Sequence, residues 1–154
     1  FWIGNPTYLV VIVAAALLTV PYTRRFKPPA QALQWADALG LAFFGISGAQ
    51  VAENAHQSGT ILMVMGTITS VFGGVLRDVL CNDIPMILRK GNIYATAVIA
   101  GVTLYVLART LGASREAASL LGMALIAGLR FAALAWNLSL PVYQLPPEED
   151  GPQR

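Results

Sequence analysis

Charge is what this sequence has least of. Asp, Glu, Lys and Arg make up 12% of its 154 residues, against about 25% in an ordinary soluble domain. Ten basic and eight acidic side chains cannot cover a globule of this size, and they gather at the ends of long uncharged runs, which is a membrane pattern. A single cysteine, Cys81, excludes a disulfide framework and a zinc–thiolate cluster. With one histidine, His56, and no nucleotide motif, nucleophile–base spacing or ligand cluster, neither an enzyme nor a bound metal or cofactor is expected. The net charge of +2 is small and scattered, which argues against a nucleic-acid surface. No basic n-region or small-residue cleavage site marks a secretory signal. What is abundant is apolar: 56% of residues, with a mean hydropathy of +0.61. That excludes intrinsic disorder of the whole chain.

The uncharged runs set the architecture. They cover 1–23, 38–52, 57–76, 91–108 and 117–129, the last resuming beyond Arg130 to Trp136. A bilayer core of about 30 Å takes roughly 20 helical residues. Backbone groups in lipid must bond internally, and barrel strands would alternate, so helices are expected. The sequence predicts five transmembrane helices, at 5–22, 35–53, 58–80, 92–110 and 116–138. The expected fold is an all-α membrane helical bundle over 1–140, followed by a polar, disordered tail over 141–154. Arg24, Arg25, Lys27, Arg89 and Lys90 fall on one side and only Arg109 and Arg115 on the other. The positive-inside rule places the first set, and the tail with it, in the cytoplasm.

A faint repeat is present. Gly4-Asn5 with Tyr8 recurs as Gly91-Asn92 with Tyr94, each opening an apolar run. On this reading 35–53, 58–80 and 92–110 form one complete three-helix unit. The first run is then the last helix of a preceding unit, and an N-terminal part is expected to be absent from this chain. Units of three helices are inverted relative to each other, which puts a site or pathway near the midplane where they meet.

The 58–80 segment carries the densest chemistry. On a 3.6-residue period Gly66, Thr69, Ser70, Gly73 and Arg77 share a face, flanked by Thr67, Gly74 and Asp78. Val64, Ile68, Val71, Val75 and Val79 lie opposite, toward lipid or core. Paired glycines predict a break or kink at Gly73–Gly74. An arginine–aspartate pair in a membrane helix marks function, against the plainer reading of helix packing with a snorkelling Arg77. In 35–53, Asp37, Gly40 and Gly48 share a face, and Ser47 and Gln50 can offer oxygens to an ion. Asp37 reads first as an acid complementing the helix dipole. Arg130 either snorkels or pairs inward. Arg77 is expected to pair with Asp78 or Asp37, or to turn to the interface.

These segments resemble a known family. Trp35-Ala-Asp-Ala-Leu-Gly-Leu-Ala-Phe-Phe-Gly-Ile-Ser-Gly-Ala-Gln50 is similar to the helix opening the second repeat of bacterial trimeric intracellular cation (TRIC) channels. Gly66-Thr-Ile-Thr-Ser-Val-Phe-Gly-Gly-Val-Leu-Arg-Asp-Val-Leu80, followed by Ile84-Pro85, resembles the family's Gly-Gly-x-x-Arg-Asp signature. Tyr94-Ala-Thr-Ala and Arg130…Trp136…Leu140-Pro141 also fit. The resemblance implies two inverted three-helix repeats plus a final helix, with five helices in this chain and the first two missing. It implies a homotrimer in a bacterial inner membrane, with a potassium-conducting pore in each protomer and glycine kinks at that pore. The expected pore residues are Gly66, Gly73, Gly74, Ser70, Thr69, Thr67 and Ser47, with Arg77, Asp78 and Asp37 supplying charge. Membrane lipid is the expected surrounding and the cation the expected cargo. Trimer contacts are expected through Gly45, Gly48 and Gly66. The lysine motif of animal members is not evident at 35–53. A glycine transporter on the same architecture is the alternative, and a structural membrane subunit the plainest one.

Overall fold

A computed structural model describes residues 7–26, 31–88 and 93–136. The expected tail at 141–154, the Gly4-Asn5 and Gly91-Asn92 repeat signatures, Lys27, Arg89, Lys90 and Leu140-Pro141 lie outside the described residues. The protein is all-α, with five helices among those residues: α1 Thr7–Arg25, α2 Ala32–Asn54, α3 Gly59–Leu80, α4 Ala95–Thr110 and α5 Arg115–Ala135. A 3₁₀ turn at Met86–Leu88 links α3 to α4.

The helices fall into two units, divided after Leu33. In the first, α1 holds Pro21 inside its last turns, and the Tyr22 and Phe26 rings pack 5.3 Å apart one turn from each other. In the second, α3 and α5 have the length and apolarity of membrane spans, while α4 is shorter at 16 residues.

Three helices of the second unit end in the same way. His56, Asn82 and Gly112 adopt positive φ, at 53°, 56° and 88°. Beyond each, a backbone N–H reaches back five residues: Gln57 to Ala52, Asp83 to Asp78 and Ala113 to Ala108, at 3.1, 2.8 and 2.9 Å. This Schellman closure satisfies carbonyls that the helix end would orphan and reverses the chain within a few residues. Short reversals force antiparallel neighbours. Glu53 near the end of α2 meets Arg109 near the end of α4 and Arg115 at the start of α5. Asp37 near the start of α2 meets Arg77 near the end of α3. The four helices therefore alternate in direction, and their side chains form two polar layers at opposite ends.

Between those layers the interior is made of small residues. A Cβ on Gly66 would lie 2.6 Å from the Gly45 carbonyl oxygen, and one on Gly48 would lie 2.7 Å from the Thr69 hydroxyl. Gly101 and Gly122 face each other across α4 and α5, where an added Cβ would sit 2.7 and 2.9 Å from the opposing carbonyl. Ala38, Ala42, Ala49 and Ala118 are buried beside them, around Ile46, Val98, Val102 and Ile126. Phe43, Phe44, Phe72, Leu76, Val79 and Leu120 are instead exposed. Small residues inside and large apolar residues outside is the arrangement of helices packed in lipid. It also corrects an expectation: Gly45, Gly48 and Gly66 bring helices together inside one protomer, so they do not form a contact face between protomers.

Candidate functional site

α3 delivers two adjacent charges to the layer near its C-terminal end. Asp78 is almost fully buried, and its Oδ2 accepts the backbone N–H of Met86 at 2.9 Å, which Pro85 has turned back toward the helix. Its Oδ1 takes the Arg77 Nε at 2.8 Å, with Nη2 at 2.7 Å. The same guanidinium reaches across to α2, where Nη1 donates to Asp37 Oδ1 at 2.8 Å. Arg77 is thus held between two carboxylates whose side chains are only 6% and 7% exposed. A planar fork can bridge two acids in this way, whereas a lysine point charge has no such geometry. Asp37 Oδ1 also accepts the Tyr94 hydroxyl at 3.3 Å. Its other oxygen, Oδ2, is buried with no hydrogen-bond partner among the described residues.

α5 completes the cluster. Arg130 is 1% exposed, donates from Nη1 to the Ile93 carbonyl at 3.0 Å and stacks its guanidinium 4.9 Å from the Tyr94 ring centroid. Nearby, Trp35 stacks on Phe131 at 4.8 Å. Two acids and two arginines make the cluster neutral in sum, which is what a low-dielectric interior tolerates best.

The expected pairing of Arg77 is therefore present, with both acids at once. Arg130 turns inward and does not snorkel. One expectation fails. α2 begins at Ala32, so Asp37 stands beyond the first turn and serves Arg77, not the helix dipole. α3 runs as one α-helix from Gly59 to Leu80, with no break at Gly73–Gly74. Gly74 serves close approach: a Cβ there would lie 2.5 Å from the Tyr94 hydroxyl. Gly73 has open space around it.

The hydroxyl residues occupy mixed surroundings. Gly66 and Ser70 are buried, Thr67 and Ser47 half-buried, and Thr69 and Gly73 exposed. Thr67, Thr69 and Ser70 each donate back to a carbonyl of their own helix, at 2.8, 2.7 and 3.0 Å. Their oxygens keep lone pairs, so they can still accept from water or face a cation. Ser70 lies about two turns along α3 from Arg77, roughly 10 Å. Val71 faces the core, while Val64, Ile68 and Val79 are exposed.

The opposite polar layer was not anticipated. Glu53 accepts the Tyr105 hydroxyl and Arg109 Nε, the latter at 2.8 Å, with Arg115 Nε 3.6 Å away. Arg109 also caps the Ala113 carbonyl at 2.9 Å. Gln50 donates to Ser119 at 2.6 Å, beside an open pocket of ≈ 420 Å³ lined by Gln50, Arg115, Glu116, Ser119 and Leu120. One signal was available. Loops on the same membrane side must meet, so a carboxylate ending one helix and two arginines flanking the next same-side loop are natural partners.

Comparison with known proteins agrees with this fold. Residues 34–110 match the protein family described as glycine transporter. The inner membrane protein YadS of Escherichia coli, a UPF0126 protein, is 42% identical over 98% of this chain, which spans 72% of that relative. The crystal structure of the TRIC channel orthologue from Rhodobacter sphaeroides superimposes with a TM-score of 0.83 at 36% identity, over 90% of this chain and 71% of that one. A TRIC cation channel structure solved for the basis of its conductance gives 0.81 at 32% identity, over 95% and 71%.

Proposed function

The chain belongs to the bacterial TRIC family of membrane proteins, and from that premise we propose that it conducts monovalent cations, chiefly potassium. The proposed unit is a homotrimer in the bacterial inner membrane, with a pore in each protomer and the C-terminus in the cytoplasm. One observation carries the reading: the Asp37–Arg77–Asp78 cluster, enclosed by helices whose outer faces are apolar, leaves Asp37 Oδ2 buried without a hydrogen bond among the described residues. A buried carboxylate oxygen in that position calls for water or a cation. Thr67, Thr69, Ser70 and Ser47 supply neutral oxygens, which replace part of a hydration shell without trapping the ion. Asp37 and Asp78 raise the local cation concentration, and Arg77 opposes it unless neutralised by them. Gly74 shapes the wall through the close approach of Tyr94 and not through a helix break.

The family description makes a glycine carrier the second reading. An arginine beside carboxylates suits a zwitterion, but here Arg77 already engages both acids. Planar-bilayer recording in potassium chloride separates the two. Cation-selective unitary steps are expected, and glycine uptake into liposomes without such steps would replace the channel with a carrier. The assembly has its own test. Cross-linking in membranes should stop at trimers, and a ladder ending at dimers would overturn the trimer.

A further inference from the structure

We infer that Tyr94, held by Arg130, is a positioning residue for Asp37, and that its hydroxyl sets how readily the Arg77–Asp37 pair opens. The inference rests on the cation-conduction reading and adds a control element to it.

Tyr94 stands at the entry to α4, where it is 2% exposed. Arg130 grips this point twice, through the Ile93 carbonyl at 3.0 Å and through the Tyr94 ring face at 4.9 Å. A buried guanidinium needs such compensation, and in return it fixes the direction of the ring. The ring then carries its hydroxyl between two helices. On one side lies Asp37 Oδ1 at 3.3 Å. On the other lies Gly74 of α3, where only the absence of a Cβ leaves room.

The consequence falls on the carboxylate. Asp37 Oδ1 takes donors from both Tyr94 and Arg77, while Oδ2 takes none among the described residues. Two donors on one oxygen fix the rotation of the carboxylate and keep it turned toward Arg77. Without the hydroxyl, Arg77 alone holds Asp37, and the carboxylate turns more freely. Tyr94 therefore does not touch the ion; it acts through Asp37.

Gly74 supplies an internal check. An alanine Cβ would lie 2.5 Å from the Tyr94 oxygen but 3.6 Å from the ring carbon that bears it. The first distance is a clash and the second is ordinary contact. Gly74→Ala thus displaces the hydroxyl, and Tyr94→Phe removes the clash.

The test is single-channel recording in potassium chloride for the wild type, Tyr94→Phe, Gly74→Ala and the double variant, each checked for trimeric assembly. Losing a hydrogen bond to a charged group should raise the open-to-closed ratio of Tyr94→Phe about tenfold. The potassium-to-chloride permeability ratio should stay at the wild-type value. Gly74→Ala should shift gating in the same direction, and the double variant should match Tyr94→Phe alone. Wild-type gating in assembled Tyr94→Phe would overturn the inference, as would additive shifts in the double variant. Failure of Tyr94→Phe to assemble would also overturn it, because the hydroxyl would then be structural. If the wild type passes no cation current, the conduction reading falls and this inference with it. Wild-type current with unmoved gating in Tyr94→Phe sinks the inference alone.

Discussion

Gly66→Leu should give no folded protein. The position lies where α3 crosses α2, and a Cβ there already falls 2.6 Å from the Gly45 carbonyl oxygen and 3.0 Å from Val102 Cγ2. The first obstacle is backbone, so no rotamer change relieves it, and the helices must separate. Even Gly66→Ala should cost about 1–3 kcal/mol, the usual range for an overpacked core. The leucine variant adds a whole side chain to a crossing that has no space for one carbon. Gly73→Ala is the control. Nothing lies within 4 Å of its added Cβ, and alanine favours a helix interior by about 0.5–1 kcal/mol. The checks are size-exclusion profile and thermal midpoint in detergent. A monodisperse Gly66→Leu with the wild-type midpoint would show that the crossing is loose. A fall for Gly73→Ala equal to that for Gly66→Ala would show that the glycines act through the backbone and not through contact distance.

The same contrast explains what the sequence could and could not disclose. Helix number was legible because uncharged runs of the right length have one solution in lipid. Expected spans of 35–53 and 58–80 became Ala32–Asn54 and Gly59–Leu80. The Arg77–Asp78 pair was legible because the residues are adjacent and intramembrane charge is costly. Its other partner, Asp37, is forty residues away. It was legible as an alternative to Asp78, because an intramembrane arginine needs an acid. Periodicity within one helix carries no information about contacts between helices, so the simultaneous pairing was not legible. For that reason the face drawn through Gly66, Thr69, Ser70, Gly73 and Arg77 divides in three dimensions, with Thr69 and Gly73 exposed and Ser70 buried. The paired glycines left two roles open for a related reason. Glycine permits a break, a kink or a close approach, and only the position of Tyr94 discloses the close approach at Gly74.

The two polar layers also divide the labour of the bundle. At one end Glu53 ties α2 to α4 and α5 through groups that are 24–41% exposed. At the other, Asp37 and Asp78 are more than nine-tenths buried. Exposed pairs are screened and individually weak, so the first layer fastens loops. Buried charges are retained at a cost in stability, so the second is where the proposed conduction would account for their presence.

Arg77→Ala should therefore change transport more than it changes selectivity. The substitution leaves Asp37 and Asp78 buried without the guanidinium that joins them. Removing one partner of a buried pair costs 3–5 kcal/mol in general, and the 28% exposure of Arg77 puts this case near about 3 kcal/mol. The positive charge opposing cations is lost while both acids stay, so conductance or open probability should shift and cation selectivity should persist. Arg77→Lys should recover little, because an ammonium cannot bridge two acids in fixed geometry. Arg77→Met with Asp37→Asn should recover part of the stability, since Asp37 is no longer an uncompensated buried charge although Asp78 remains one. Bilayer recording and thermal midpoints on the same preparations decide the matter. Wild-type flux and gating in assembled Arg77→Ala would remove the arginine from the conduction route. Loss of the folded trimer in Arg77→Ala, with rescue by the double variant but unaltered currents, would make the cluster a structural tie between α2 and α3.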